Sequence, residues 1–305
     1  MEPSKPTTNP YIGILGVFLG AGLATLNSRL ISIGLADLRG ALGFGFDEAS
    51  WIPTALNMAT MFSGVFIVFL NVEYGSRRIL LPAAAVFALT SAVLPFARNY
   101  FLMLAMIVIA GLSSGTFYSL TMTFVLNALP KRLIIFGVAA YAADIVFLSN
   151  VASLIEGWYM EHLSWHWIFW NAAVFTPLMI ICVYFGIPQR AISAIRPNWR
   201  GFVYFSLGLA LLYGVMDQGE RLDWLNSGVI VAMLVAGIFL LAPGSRFLIV
   251  LSFYGVYLLW KGLPLLMETR RAKVPAFAAV IVGCAGALTL IFAAAQHALF
   301  GLTVL

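Results

Sequence analysis

Residues 11–35 read YIGILGVFLGAGLATLNSRLISIGL, and Arg29 is the one charge among them. Uninterrupted apolar runs of about 18 or more residues read as bilayer-spanning helices, because about 20 residues at 1.5 Å rise cross the hydrocarbon layer. Runs of the same kind follow at 50–70, 79–97, 101–126, 133–155, 167–187, 202–216, 227–242, 247–266 and 275–304, with 202–216 and 227–242 the shortest. The runs are continuous instead of alternating, and an open sheet in lipid would leave backbone groups unpaired, so helices are expected. Composition agrees. Of 305 residues, 62% are hydrophobic and 10% charged, with mean hydropathy +0.98, whereas soluble domains carry about 25% charged residues. The expected fold class is an all-α integral membrane protein with about ten transmembrane helices.

The net charge of +5 would suggest nucleic acid in a soluble protein. Here the basic residues lie in short loops beside the spans, which sets orientation and gives no reason for nucleic-acid binding. Arg77 and Arg78, then Lys131 and Arg132, then Arg190, Arg196 and Arg200 follow the second, fourth and sixth runs. Acidic or mixed loops alternate with them: Asp37, Arg39, Asp47 and Glu48, then Arg98, then Glu161, then Asp217, Glu220, Arg221 and Asp223. The basic set belongs in the cytoplasm, together with the polar amino-terminal tail 1–10. The first run is too long for a signal-peptide core, so it is expected to be kept. Trp158, Tyr159, Trp165 and Trp167, with His162 and His166, mark the outer interface. Alternation fails near the end, where Lys261, Arg270, Arg271 and Lys273 would face outward against Glu268 alone. Cys182 and Cys284 lie in apolar runs as small hydrophobes. The histidines, His297 included, show no metal-ligand spacing. No nucleotide-binding glycine loop or nucleophile with a usable base is present, so neither cofactor nor enzyme activity is expected.

Six segments in order resemble the first part of a major facilitator superfamily transporter of the 14-helix drug:proton antiporter branch. LNSRLISIGLADLRGALG is similar to the first-helix signature LDxTIVNVALPxI…LG, and DEASWIPTALNMA to the start of the second helix. EYGSRRILL resembles the end of the loop motif GxLaDrxGRRxxL, which implies a conformational role for Gly75, Arg77 and Arg78. ALPKR, WHWIFWNAAVFTPL and GERLDWLNS match later landmarks. Departures stand beside these: Val72 replaces the loop aspartate, Ile107 the fourth-helix arginine, and Ala152–Gly157 carries ASLIEG where the antiporter motif has GPxxGG. From about 247, FYGVYLLWKGLPLLMETRRAKVPAFAAVIV resembles the end of the Yip family, after a seam at 242–246. The implied organisation is a tail (1–10), a six-helix major facilitator N-terminal bundle (11–187), a linker with an inserted helix pair (188–242) and a Yip-like two-helix tail (243–305).

Intramembrane charges cost about 2.5–3.5 kcal/mol at a helix centre, so those present carry information. Arg29 sits about six residues from the outer end of its run, roughly 9 Å. It either snorkels to the interface or handles substrate or protons. Asp144 is too short to escape, and such a carboxyl can exchange a proton as access alternates. Glu156 lies toward the outer end of the same helix, at the interface or in function. Asn27 stands where the resembled signature has its acid, and cannot carry a proton. The resembled fold turns the first and fifth helices toward a central cavity, which permits an Arg29–Asp144 pair. Thr54, Asn57 and Thr60 form a polar stripe, with Tyr118, Ser119 and Thr121 adding polarity; interhelical bonding is favoured over cavity lining. Gly111, Gly115 and Gly137 suit close helix packing.

The resemblance implies a secondary transporter in the bilayer of the bacterial inner membrane, moving or exporting a small organic solute with proton coupling. On this reading the C-terminal half of the fold is missing, and a homodimer would restore two halves. The competing expectation is a non-transporting scaffold, or a fused remnant without activity.

Overall fold

A computed structural model describes residues 10–130, 132–188 and 199–241. The expected spans at 247–266 and 275–304, the seam, the basic loop at 261–273, Cys284 and His297 lie outside them, as do residues 1–9, Lys131, Arg190 and Arg196. Nine α-helices form among the described residues: α1 Pro10–Ile33, α2 Leu35–Leu42, α3 Phe46–Tyr74, α4 Ser76–Val93, α5 Tyr100–Ala128, α6 Ile134–His162, α7 Trp167–Gly186, α8 Trp199–Gln218 and α9 Gly228–Leu241. Seven are long and apolar enough to cross a membrane, and α9 is shorter at 14 residues. Eight of the ten expected spans thus coincide with a described helix.

The helices run past the apolar runs because their polar ends cap them. Gly45 begins α3, its N–H donating to Glu48 Oε2 at 3.0 Å, and Asp47 and Glu48 occupy a first turn that favours negative charge. Asn99 Oδ1 accepts from the Phe101 and Leu102 amides at 2.9 and 3.3 Å to start α5. At 29 residues each, α3, α5 and α6 are about 44 Å long and project beyond a hydrocarbon layer of roughly 30 Å. The short helix α2 was not expected from the sequence. Gly34 ends α1, and α2 then buries Leu38 completely while keeping Asp37 and Arg39 outward. Gly43, at φ 70°, terminates it.

The described helices up to residue 237 belong to one compact unit. In it α3 packs along α5 and α1 along α7, while α4 lies against α5 and α7 and α1 also meets α5 and α6. Phe87, Phe117 and Phe169 are fully buried at its centre, Phe87 and Phe117 edge to face at 5.4 Å. Two seams depend on glycine. A Cβ on Gly111 would stand 2.5 Å from the Leu56 carbonyl oxygen, and one on Gly13 would stand 2.8 Å from that of Gly186. Small residues permit such approach where lipid gives no hydrophobic drive. The packing expected of Gly111 and Gly115 is therefore present. By contrast α6 leaves Ile135, Phe136, Val146, Phe147 and Leu154 exposed, a face suited to acyl chains.

Candidate functional site

A cavity of about 670 Å³ opens between α1, α3, α5, α6 and α8. Its wall from α1 is Thr25, Ser28, Arg29 and Ser32, at i, i+3, i+4 and i+7, so one helical face supplies all four. Asn57, Thr60, Met61, Gly64 and Val65 on α3, with Gly115, Tyr118 and Ser119 on α5 and Ile145 and Ser149 on α6, complete most of the rest. The α3, α5 and α6 positions lie near the middles of their helices, whereas Ser28, Arg29 and Ser32 lie in the last third of α1 and Tyr213 in the last third of α8. Tyr213 of α8 closes one side.

Most hydroxyls here are internally satisfied. Thr25 Oγ1 donates to Ala21 O at 2.9 Å and pairs with the Tyr118 hydroxyl at 3.1 Å. Ser32 donates to Ser28 O at 2.9 Å and Thr60 to Leu56 O at 2.8 Å. Ser28 Oγ donates to Asn57 Oδ1 at 2.9 Å, and the Asn57 side chain lies in hydrogen-bonding reach of Tyr213. The stripe on α3 thus serves both purposes weighed from the sequence. Thr60 bonds across to α5 at Gly111 O and Ser114 Oγ, both 3.3 Å, and also lines the cavity, as Asn57 does. Thr121 does not line the cavity; its hydroxyl is shared between Val17 O of α1 at 2.7 Å and Phe117 O of its own helix at 2.6 Å.

Arg29 lies on the cavity wall and has no ion pair or hydrogen bond among the described residues. Asp144 does not pair with it. Its carboxyl oxygens face α1 at Gly22, where a Cβ would sit 3.4 Å from Oδ1, and Oδ2 is buried without a partner. Tyr118 lies within electrostatic range of both charges. Asn27 points away from the cavity face, buried, with Oδ1 unpartnered. Glu156 is buried beside Gly34, within hydrogen-bonding reach of Asp37 on α2.

At the opposite end of the bundle Gly75, at φ 81°, forms the whole corner between α3 and α4. Ser76 Oγ donates to Asn71 Oδ1 at 2.7 Å, and the Arg77 guanidinium stacks over the Tyr184 ring at 4.4 Å. Arg78 is exposed. Around the α6–α7 turn His162 stacks on Trp158 at 5.3 Å and His166 on Trp165 at 4.0 Å, an aromatic belt of the interfacial kind.

Sequence reasoning missed Thr25, Ser28 and Ser32, although their helical spacing with Arg29 was a readable signal. It also missed the clamp of α8 on α3. There Thr54 Oγ1 donates to Asp217, Gln218 Nε2 donates to Ser50 O at 3.2 Å, and Arg221 pairs with Asp47. These partners lie more than 160 residues apart, and no local pattern announces them.

The Major Facilitator Superfamily profile matches residues 17–304. That range includes the tail likened to the Yip family, and the comparisons give the second resemblance no support. The chain is similar to the probable multidrug resistance protein EmrY of Escherichia coli K12, at 24% identity over 249 residues, covering 78% of this chain and 48% of that one. It is 24% identical to the multidrug export protein EmrB of Haemophilus influenzae over 226 residues, 73% of this chain and 44% of the other. The chain therefore spans about half the length of these curated relatives. Among solved structures it is similar to the inward-open xylose transporter XylE of E. coli, with TM-score 0.49 and 16% identity over 71% of this chain and 57% of that one.

Proposed function

The chain belongs to the Major Facilitator Superfamily, and on that premise we propose that it moves a small organic solute through the cavity around Arg29, coupled to proton transfer at Asp144. The observation that carries the proposal is the cavity itself. Its volume is in the range of small-molecule sites, about 300–1,000 Å³, and secondary transporters bind near the bilayer midplane. Asp144 suits a proton site because its Oδ2 is buried without a partner and a carboxyl there changes charge by one unit when access changes. Tyr118, near both Arg29 and Asp144, is the group through which one charge would sense the other. The named activities of the similar proteins, multidrug resistance and export, favour an efflux role.

The loop charges Arg77, Arg78 and Arg132 at one end support a cytoplasmic position for that end, and for the amino terminus, in a bacterial inner membrane. Rocking about a midplane site takes two bundles, and a second copy of the chain supplies the other where no further bundle is present. The test is reconstitution into liposomes with an internal pH dye. Solute-driven proton movement is expected in the unaltered chain, with loss in Asp144→Asn. If neither appears, the transport reading fails and the scaffold reading replaces it.

A further inference from the structure

The charge balance of the cavity says what kind of solute fits. Among the described residues Arg29 is the sole charged one lining it, and no described carboxyl pairs with it. Asp144 is turned to Gly22, outside the lining. Asp217 is held by Thr54 and lies in contact with Gln218 at 3.4 Å. A guanidinium inside a membrane-spanning helix without a counterion is costly, and its five fixed N–H donors match an oxyanion in two-point geometry.

The remaining donors point to the same chemistry. Ser28 gives its proton to Asn57 Oδ1, which leaves the Asn57 amide N–H groups as donors on the cavity that Asn57 lines. The Tyr213 hydroxyl, able to donate as well as accept, lines the same cavity. Arg29 and Tyr213 thus offer donors from two helices, α1 and α8, while Met61 and Val65 of α3 and Ile145 of α6 give the cavity apolar lining.

We propose that the cavity takes an organic monoanion, a carboxylate or similar oxyanion on an apolar body, with the oxyanion at Arg29 and Tyr213 and the body on Met61, Val65 and Ile145. This rests on the transport reading for its purpose, but not for its test.

The experiment measures binding to the full chain in phosphatidylcholine nanodiscs by equilibrium dialysis, with empty discs subtracted. Three probes share one skeleton: 2-naphthoate, 2-naphthylmethanol and 2-naphthylmethylammonium. Naphthoate should bind about 10- to 100-fold more tightly than the alcohol, the range for a charge-assisted bidentate contact, and the ammonium more weakly than either. Arg29→Gln should remove the carboxylate preference and keep alcohol binding, which also shows that the variant is folded. Arg29→Lys should retain most of the preference, and Tyr213→Phe should lower naphthoate affinity several-fold. Equal binding of the three probes, or an unchanged naphthoate affinity in Arg29→Gln, overturns the proposal. So does competitive loss of naphthoate binding in phosphatidylglycerol discs, which would assign Arg29 to a lipid headgroup. Carboxylate selectivity without liposome flux would sink the transport reading alone. Flux with preference for the ammonium would sink this inference alone.

Discussion

Replacing Gly111, Gly115 and Gly157 by alanine, one at a time, asks the same chemical change of three helical positions with different surroundings. A Cβ on Gly111 would lie 2.5 Å from Leu56 O and 2.8 Å from Ala59 Cβ. Ordinary contact begins at 3.4 Å, so the shortfall is about 0.9 Å and the obstacle is partly backbone. At Gly115 the Cβ would meet the Thr60 carbonyl and Ser63 Oγ more closely still. At Gly157, on the exposed side of α6, nothing lies within 4 Å. Overpacking costs about 1–3 kcal/mol, while glycine-to-alanine in a helix returns up to about 1 kcal/mol measured in water. The seam positions should therefore lose about 1–2 kcal/mol net, and Gly157→Ala should lose nothing or gain.

At about 2–4 °C per kcal/mol, the expected order of thermal midpoints is Gly115→Ala, then Gly111→Ala about 2–8 °C below the unaltered chain, then Gly157→Ala at or above it. Circular dichroism at 222 nm in one detergent reads all four. Because Thr60 and Gly115 both line the cavity, parting α3 from α5 should also weaken solute binding in the first two variants. Seam variants as stable as the unaltered chain, with Gly157→Ala the least stable, would refute the close-packing account of the α3–α5 interface.

Three shorter predictions concern the ends of the bundle. Tyr184→Phe should leave stability unchanged because the ring under Arg77 remains, whereas Tyr184→Leu should cost about 0.5–1 kcal/mol, read as a midpoint shift. A double-mutant cycle on Asp47→Asn and Arg221→Gln should give a coupling of only about 0.2–1 kcal/mol, smaller in high salt, since the Asp47 side chain is 87% exposed; a salt-independent coupling of several kcal/mol would contradict this. With native cysteines removed, Glu161→Cys should react with an impermeant maleimide applied outside cells, and Arg78→Cys should react only after permeabilisation; the reverse pattern would invert the proposed topology.

The sequence exposes long-period features of this molecule and hides short-range ones. Continuous apolar runs locate every long described helix, because lipid leaves the backbone no option but internal pairing. Their ends are less visible: Asp47 and Glu48 look like loop residues until Gly45 makes them the first turn of α3. The short α2 is invisible for a related reason, since only the fully buried Leu38 and the partly buried Leu35 and Leu42 hold a segment that is otherwise polar or small. At the site, Arg29 stands out as a charge in oil, and its neighbours at helical spacing follow once that face is drawn. Which way Asp144 turns is not legible. It depends on Gly22 leaving room on α1, and a glycine in an apolar run has many readings.

The contribution of α8 is the least legible and has the most consequence. Three α3 residues bond or pair with its end or with the turn after it only because Asp47, Ser50 and Thr54 share a level with Asp217, Gln218 and Arg221; the packing of Met58 against Gly214 extends that seam inward. A Cβ on Gly214 would sit 2.8 Å from the Met58 sulfur, so α8 lies close enough for Tyr213 to reach the cavity. The donors facing the proposed solute therefore come from two elements held together at one end. Any motion that lifts α8 from α3 would withdraw Tyr213 from Arg29, and a solute bound to both would resist that motion by the free energy of the Tyr213 contact. Binding and the position of α8 are linked quantities, since a ligand shifts a conformational equilibrium only by its differential affinity for the two states. On this ground the α3–α8 clamp, whose outermost ion pair is exposed and weak, is suited to open, and the inner polar contacts around Thr54 set how far.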